Sequence, residues 1–211
     1  MATLEDIRTI GVLGAGQMGG GIAQVAATAG FDVRLCDASQ ALAEKGLAKI
    51  DAILGKQVDK GKLTEDVRKG IVSRIKPIGE PALFKDCDLV VEAATENVEL
   101  KLTLFRACDA ALRPGAWLAS NTSSISLTKL AACTSRPDRV VGLHFMNPPP
   151  LMKLIEVVRA TQTSDETYAL AKAVAEKMGK TVVTSKDAPG FLVNRMLIPM
   201  LCEAIFTLEQ G

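Results

Sequence analysis

The sequence predicts an α/β chain built on a mostly parallel sheet, and three observations carry that reading. Short apolar runs recur along the chain, at residues 10–13, 33–36, 89–94, 116–119 and 140–144, each of a length that suits a buried strand. Between them lie stretches with apolar residues at helical spacing, the alternation expected when helices cover both faces of a parallel sheet. The first apolar run breaks at Gly14, Gly16 and Gly19 and then turns helical through Ile22, Val25 and Ala26. Strand, glycine turn and helix together form the opening unit of a Rossmann-type fold.

The three glycines stand at G-x-G-x-x-G spacing, which suits a tight turn, a close approach of backbone to a pyrophosphate, and close packing of helix on strand. A pyrophosphate bound there meets the helix N-terminus, where unpaired N–H groups and the helix dipole favour an anion. Gln17 and Met18 lie inside the same turn and are expected at the cofactor with Gly14, Gly16 and Gly19. The second strand, 33–36, ends in Asp37, placed where a carboxylate can accept both ribose hydroxyls. No arginine follows in Ala38, Ser39 and Gln40 to hold a 2′-phosphate, so NAD is expected over NADP. The other reading of Asp37 is a carboxylate that caps the next helix.

A long helix is predicted over 40–60, with Ala43, Leu47, Ile50 and Leu54 on one face. Lys45, Lys49, Lys56 and Lys60 fall within roughly 60° of one another on its side, a basic stripe that reads as a solvated face or as an anion contact. Gly61 begins a turn, and a second helix follows over 64–71, capped by Thr64 with Glu65 and Asp66 in its first turn. This helical hairpin, at about 40–73, is long for a connection between strands. Strand 74–78, strand 89–94, helix 98–112, strand 116–119, short helix 126–133 and strand 140–144 continue the rhythm. Strand 154–158 follows after a gap holding Pro148, Pro149 and Pro150, too short for a helical crossover, so it is expected to run antiparallel. Helix 164–179 and strand 181–184 close the domain. Asp187, Ala188, Pro189 and Gly190 form a break, and 191–209 reads as one helical run. The expected division is a dinucleotide-binding domain over 1–187 and, over 188–211, the first helix of an all-helical second domain cut short at Gly211. That helix leaves Leu197, Leu201 and Ile205 without a partner surface.

A net charge of +1, one tryptophan and one tyrosine give neither the electrostatic footprint nor the stacking platform of a nucleic-acid binder. No apolar run reaches the ~18 residues of a membrane span, and no signal core or arginine-rich leader precedes the first strand, so a cytoplasmic location is expected. Cys36, Cys87, Cys108, Cys133 and Cys202 are scattered without metal-ligand spacing and read as reduced thiols, with no metal site.

Ligands of open α/β sheets collect beyond the carboxyl ends of the strands. Polar clusters stand at three such ends, Glu92 to Asn97, Ser120 to Ser124 and His144 to Asn147. His144 is the sole histidine. Removing a hydride from an alcohol carbon requires the hydroxyl proton to leave as well, and imidazole is the side chain suited to take it near neutral pH. Glu156, on the neighbouring strand, can hold the other ring nitrogen, and Ser123 can hydrogen-bond the substrate oxygen. Structural readings stay open: a core histidine, and a serine that caps a turn.

Six separated stretches, at 13–21, 92–97, 120–126, 142–148, 152–157 and 187–195, make the chain resemble the 3-hydroxyacyl-CoA dehydrogenase family, notably its bacterial 3-hydroxybutyryl-CoA members. The last stretch, Asp-Ala-Pro-Gly-Phe-Leu-Val-Asn-Arg, is similar to the family signature at the start of the second domain. The resemblance implies an NAD-dependent oxidoreductase of fatty acid metabolism and β-oxidation, acting on a 3-hydroxyacyl-CoA. It implies His144 as general base and Glu156 as its partner, with Ser123 and Asn194 positioning the 3-oxygen and thioester. Glu96, Lys101, Ser123 and Asn147 match positions around the ribose and nicotinamide of NAD. The hairpin matches the element against which coenzyme A lies, with Lys56 as the lysine expected at its phosphates, and the second domain implies a homodimer. For Asn194 a helix-start role is the alternative. Another hydroxyacid dehydrogenase, or a non-catalytic NAD-binding protein, also remains compatible with the glycine turn.

Overall fold

A computed structural model describes residues 3–211. Its strands are β1 (Thr9–Leu13), β2 (Asp32–Cys36), β3 (Ile75–Ile78), β4 (Leu89–Glu92), β5 (Trp117–Ser120), β6 (Val140–Phe145), β7 (Leu154–Arg159) and β8 (Thr181–Lys186). They form one sheet in the order β3-β2-β1-β4-β5-β6-β7-β8. All neighbours are parallel except β6 and β7, which pair antiparallel as the short proline-rich connection requires. The chain moves outward from β1 to β3, then crosses back to β4 on the other side of β1. That reversal opens a crevice at the carboxyl ends of β1 and β4, the place where such sheets bind ligands.

The helices are α1 (Gln17–Thr28), α2 (Gln40–Asp59), α3 (Glu65–Ser73), α4 (Val98–Ala111), α5 (Leu127–Ala132), α6 (Asp165–Lys177) and α7 (Val193–Gln210). Alternating side chains of β1 explain the two-sided core. Ile10 and Val12 join Ala23, Ala26, Ile50 and Val174 on one side, whereas Leu13 joins Phe105, Leu118 and Leu130 on the other. The α2–α3 hairpin is formed as expected, with Ala43, Ile50 and Leu54 buried, Gly61 turning the chain at φ +67°, and the Thr64 hydroxyl accepting from the Val67 N–H.

Two differences from the sequence expectation have local causes. α7 begins at Val193 rather than at residue 191, because Phe191 takes a left-handed conformation at φ 49° and turns its ring into the core. β8 runs two residues further than predicted, to Lys186, because it pairs with β7 as far as Arg159. Burial raises the thiols of Cys36 and Cys87 to about 12, which leaves both protonated and unreactive at neutral pH. Among the described residues no helix is long and apolar enough to cross a membrane. α7 buries none of its residues, and Leu197, Leu201 and Ile205 stand exposed along it.

Candidate active site

The glycine turn is fixed by sterics at both ends. Gly14 has φ +104°, and a Cβ there meets the Ala93 carbonyl at 2.7 Å; a Cβ on Gly19 falls 1.7 Å from the Gly14 oxygen. Gly16, by contrast, has nothing within 4 Å of a Cβ, so its backbone faces open space at the start of α1. A pyrophosphate fits this place, since the first N–H groups of a helix have no partner within it. The Asp37 carboxylate accepts from the Ala15 N–H at 2.7 Å and the Ala38 N–H at 2.7 Å, one bond per oxygen. Each oxygen keeps a lone pair for a ribose hydroxyl, so the residues present suit a dinucleotide. Gln17 donates to the Asn147 side chain at 3.0 Å, tying the turn to the end of β6.

A cavity of about 550 Å³ lies beside the turn, bounded by Met18, Glu96, Ser123, His144, Asn147 and Asn194. Antiparallel register sets His144 directly opposite Glu156. The imidazole Nδ1 is 2.6 Å from Glu156 Oε2, and Nε2 is 3.1 Å from the Ser123 hydroxyl. An ionised carboxylate only accepts, so the neutral ring carries its proton on Nδ1 and presents an unprotonated Nε2 to Ser123 and the cleft. Glu156 is fully buried, and its other oxygen accepts from the Leu192 and Val193 N–H groups at 2.8 and 3.0 Å. The start of α7 therefore helps hold the carboxylate in place, through its N–H groups and dipole. Phe191 packs edge-on against the imidazole, with ring centroids 5.6 Å apart.

Other predicted residues take more indirect places. Glu96 accepts from the Thr122 hydroxyl at 2.7 Å and from the Ser123 N–H at 3.0 Å, so it shapes the loop carrying Ser123 as well as lining the cleft. Lys101 also borders the cleft, but its buried ammonium pairs with Glu92 and reaches Ser120 Oγ at 3.5 Å. A second, mainly apolar cavity of about 480 Å³ lies between α1, α2 and the 148–151 loop. Lys49 lines it, whereas Lys56 is exposed on α2 outside its lining. Sequence reasoning missed Phe191 and the α7 backbone donors. Only the adjacent Pro-Gly break signalled an unusual local conformation there.

Asp187 ties the junction before α7 to the loop that carries Ser123. Its carboxylate accepts from the Ser126 hydroxyl at 2.7 Å and from the Leu127 and Thr128 N–H groups at 3.0 and 2.8 Å. Burial pushes this carboxyl upward, but the hydrogen bonds from Thr128, Ser126 and Leu127 outweigh that effect and hold it below its ordinary value. A depressed carboxyl contributes stability above its unfolded value and loses it as the pH falls through the folded one. Asp187→Ala therefore lowers stability by about 1–2 kcal/mol at neutral pH in urea denaturation. The deficit narrows in acid below the usual aspartate range, and a pH-independent deficit contradicts this role.

The parallel sheet with its glycine turn and strand-end acid defines a dinucleotide-binding dehydrogenase domain. Residues 9–188 match the family model described as "3-hydroxyacyl-CoA dehydrogenase, NAD binding domain". A 3-hydroxybutyryl-CoA dehydrogenase of Bradyrhizobium diazoefficiens is 49% identical over 97% of this chain and 70% of its own length. A probable 3-hydroxybutyryl-CoA dehydrogenase of Deinococcus radiodurans is 51% identical over 95% of this chain and 72% of its own. The crystal structure of (S)-3-hydroxybutyryl-CoA dehydrogenase from Ralstonia eutropha superposes with a TM-score of 0.95 at 46% identity, covering 97% of this chain and 72% of that one. The chain belongs to the 3-hydroxyacyl-CoA dehydrogenase family, and its cofactor is NAD.

Proposed function

We propose that the chain interconverts a 3-hydroxyacyl-CoA and a 3-oxoacyl-CoA, of the 3-hydroxybutyryl-CoA and acetoacetyl-CoA type. The observation that carries this reading is His144, held between Glu156 and Ser123 with Nε2 toward the cleft beside the glycine turn. NAD supplies the hydride acceptor when bound. The protein's part is to take the hydroxyl proton on His144 Nε2 while Glu156 stabilises the resulting imidazolium and Ser123 hydrogen-bonds the 3-oxygen. Asn194, at the start of α7 and on the cleft wall, is assigned to orient the thioester. Gly14, Gly16, Gln17, Met18, Gly19 and Asp37 are assigned to the adenosine and pyrophosphate side of NAD. Glu96, Lys101, Ser123 and Asn147 are assigned to its ribose and nicotinamide side, Lys101 acting through Glu92.

The substrate's coenzyme A is placed along the α2–α3 hairpin. Lys49 supports that reading by lining the apolar cavity, and Lys56 is left for a phosphate at the rim. The domain division at residue 187 and a cytoplasmic location belong to the same reading. The exposed apolar face of α7 supports burial against further helices and a homodimer formed through that region.

The test is purified protein with acetoacetyl-CoA and NADH, followed by loss of absorbance at the nicotinamide band. Turnover supports the reading. NADH binding without turnover favours a second one, a non-catalytic dinucleotide-binding unit. A separate expectation concerns the cofactor. Asp37→Arg shifts preference from NAD toward NADP by removing the ribose acceptor and adding a cation for a 2′-phosphate. Unchanged preference in kcat/KM for the two cofactors contradicts the Asp37 assignment.

A further inference from the structure

We propose that Glu92 is a positioning residue for Ser123, a role that rests on the dehydrogenase reading only for the reaction it serves. Glu92 and Lys101 are each 1% exposed and form an ion pair beneath the cleft floor. A buried pair of this kind is seldom worth more than well-packed apolar side chains, so its use is sought in the geometry it imposes.

The Glu92 carboxylate bridges two strand ends. One oxygen accepts from the Ala94 N–H at 2.9 Å and lies 3.4 Å from the Thr95 N–H, shaping the loop that leads to Glu96. The other accepts from the Ser120 hydroxyl at 2.9 Å, and Ser120 Oγ in turn accepts from the Thr122 N–H at 3.2 Å. The two loops then meet, because Glu96 accepts from the Thr122 hydroxyl and from the Ser123 N–H. Ser123 Oγ ends the series at His144 Nε2. The β4–β5 pairing places Glu92 and Ser120 side by side, so the series runs through these two strand ends and only its last link crosses to His144 on β6. Glu92 is not itself a cleft-lining residue and makes no hydrogen bond to His144, so it acts through the 94–96 and 120–123 loops that do line the cleft.

The test is a double-mutant cycle. Glu92→Asp keeps the charge and the lysine partner but withdraws the carboxylate by one methylene from the Ala94 and Thr95 N–H groups. It is expected to lower kcat about 10- to 100-fold, as small misplacements in an active site do. Ser123→Ala costs about 10²-fold in the wild-type background and little further in the Glu92→Asp background, since the serine is already displaced. Equal losses from Ser123→Ala in both backgrounds, or wild-type kcat in Glu92→Asp, overturn the proposal.

Should Glu92→Asp fail to fold, Ser120→Ala, which removes the hydroxyl that links Glu92 to the Thr122 N–H and leaves the ion pair intact, is run through the same cycle with the same expectation. Amide exchange gives a readout independent of turnover. The Ser123 N–H exchanges faster in these variants than in the wild type, and unchanged protection counts against the role. If the wild-type protein never turns over, yet the Ser123 N–H loses protection in the variants, the reaction assignment falls and the positioning role stands.

Discussion

Replacing His144 by alanine lowers kcat about 10²- to 10⁴-fold, the range of a lost general base, and leaves NADH affinity unchanged. The separation of the two effects follows from the fold. The pyrophosphate and ribose groups are assigned to the β1–α1 turn and to Asp37 at the end of β2, whereas His144 projects from β6 on the far side of β4 and β5. Removing the imidazole takes away the one side chain among the cleft residues whose free nitrogen faces the Ser123 hydroxyl. It does not reach the backbone of the glycine turn. Steady-state kinetics with acetoacetyl-CoA, paired with a fluorescence titration of NADH, reads both quantities. Turnover near the wild-type value contradicts the role of His144, and a parallel collapse of NADH affinity contradicts the separation.

Glu156→Gln produces the second large effect, a fall in kcat of about 10² to 10⁴. Both carboxylate oxygens are engaged, one with His144 Nδ1 and the other with the Leu192 and Val193 N–H groups. An amide can accept on only one side. If its NH₂ faces the imidazole, the ring is forced to carry its proton on Nε2, the nitrogen that has to receive the substrate proton. If its NH₂ faces α7, two backbone donors in a buried place lose their acceptor, at a cost of about 1–3 kcal/mol. Either arrangement impairs the site, so kcat falls, and the second also lowers the denaturation midpoint. A variant with wild-type turnover removes Glu156 from the mechanism.

Much of the fold was legible in the sequence because its signals are local. The glycine turn, the strand-end polar clusters and the hairpin depend on spacing within a few residues. The antiparallel β7 could be read from a connection too short to cross over. What escaped depends on segments that meet only after folding. Residues 191–209 continue one apolar helical pattern, yet Phe191 leaves it because its ring is taken up by the core against His144. The resemblance implies Lys101 at the cofactor, but nothing local in the sequence indicates that packing turns its buried ammonium toward Glu92 and Ser120. Nothing near Glu156 in sequence indicates that it receives the first N–H groups of α7, more than thirty residues on. Lys49 and Lys56 share one stripe by helical arithmetic, and only the position of the 148–151 loop decides which of them borders a cavity.

The central claim is geometric, and a crystal structure of the protein with NADH and acetoacetyl-CoA tests it most directly. The account predicts the nicotinamide ring in the cleft beside Glu96 and Asn147, with the substrate's 3-oxygen within hydrogen-bond distance of both His144 Nε2 and the Ser123 hydroxyl. A complex in which the nicotinamide or the acyl carbonyl lies elsewhere, with His144 Nε2 still bound only to Ser123, contradicts it.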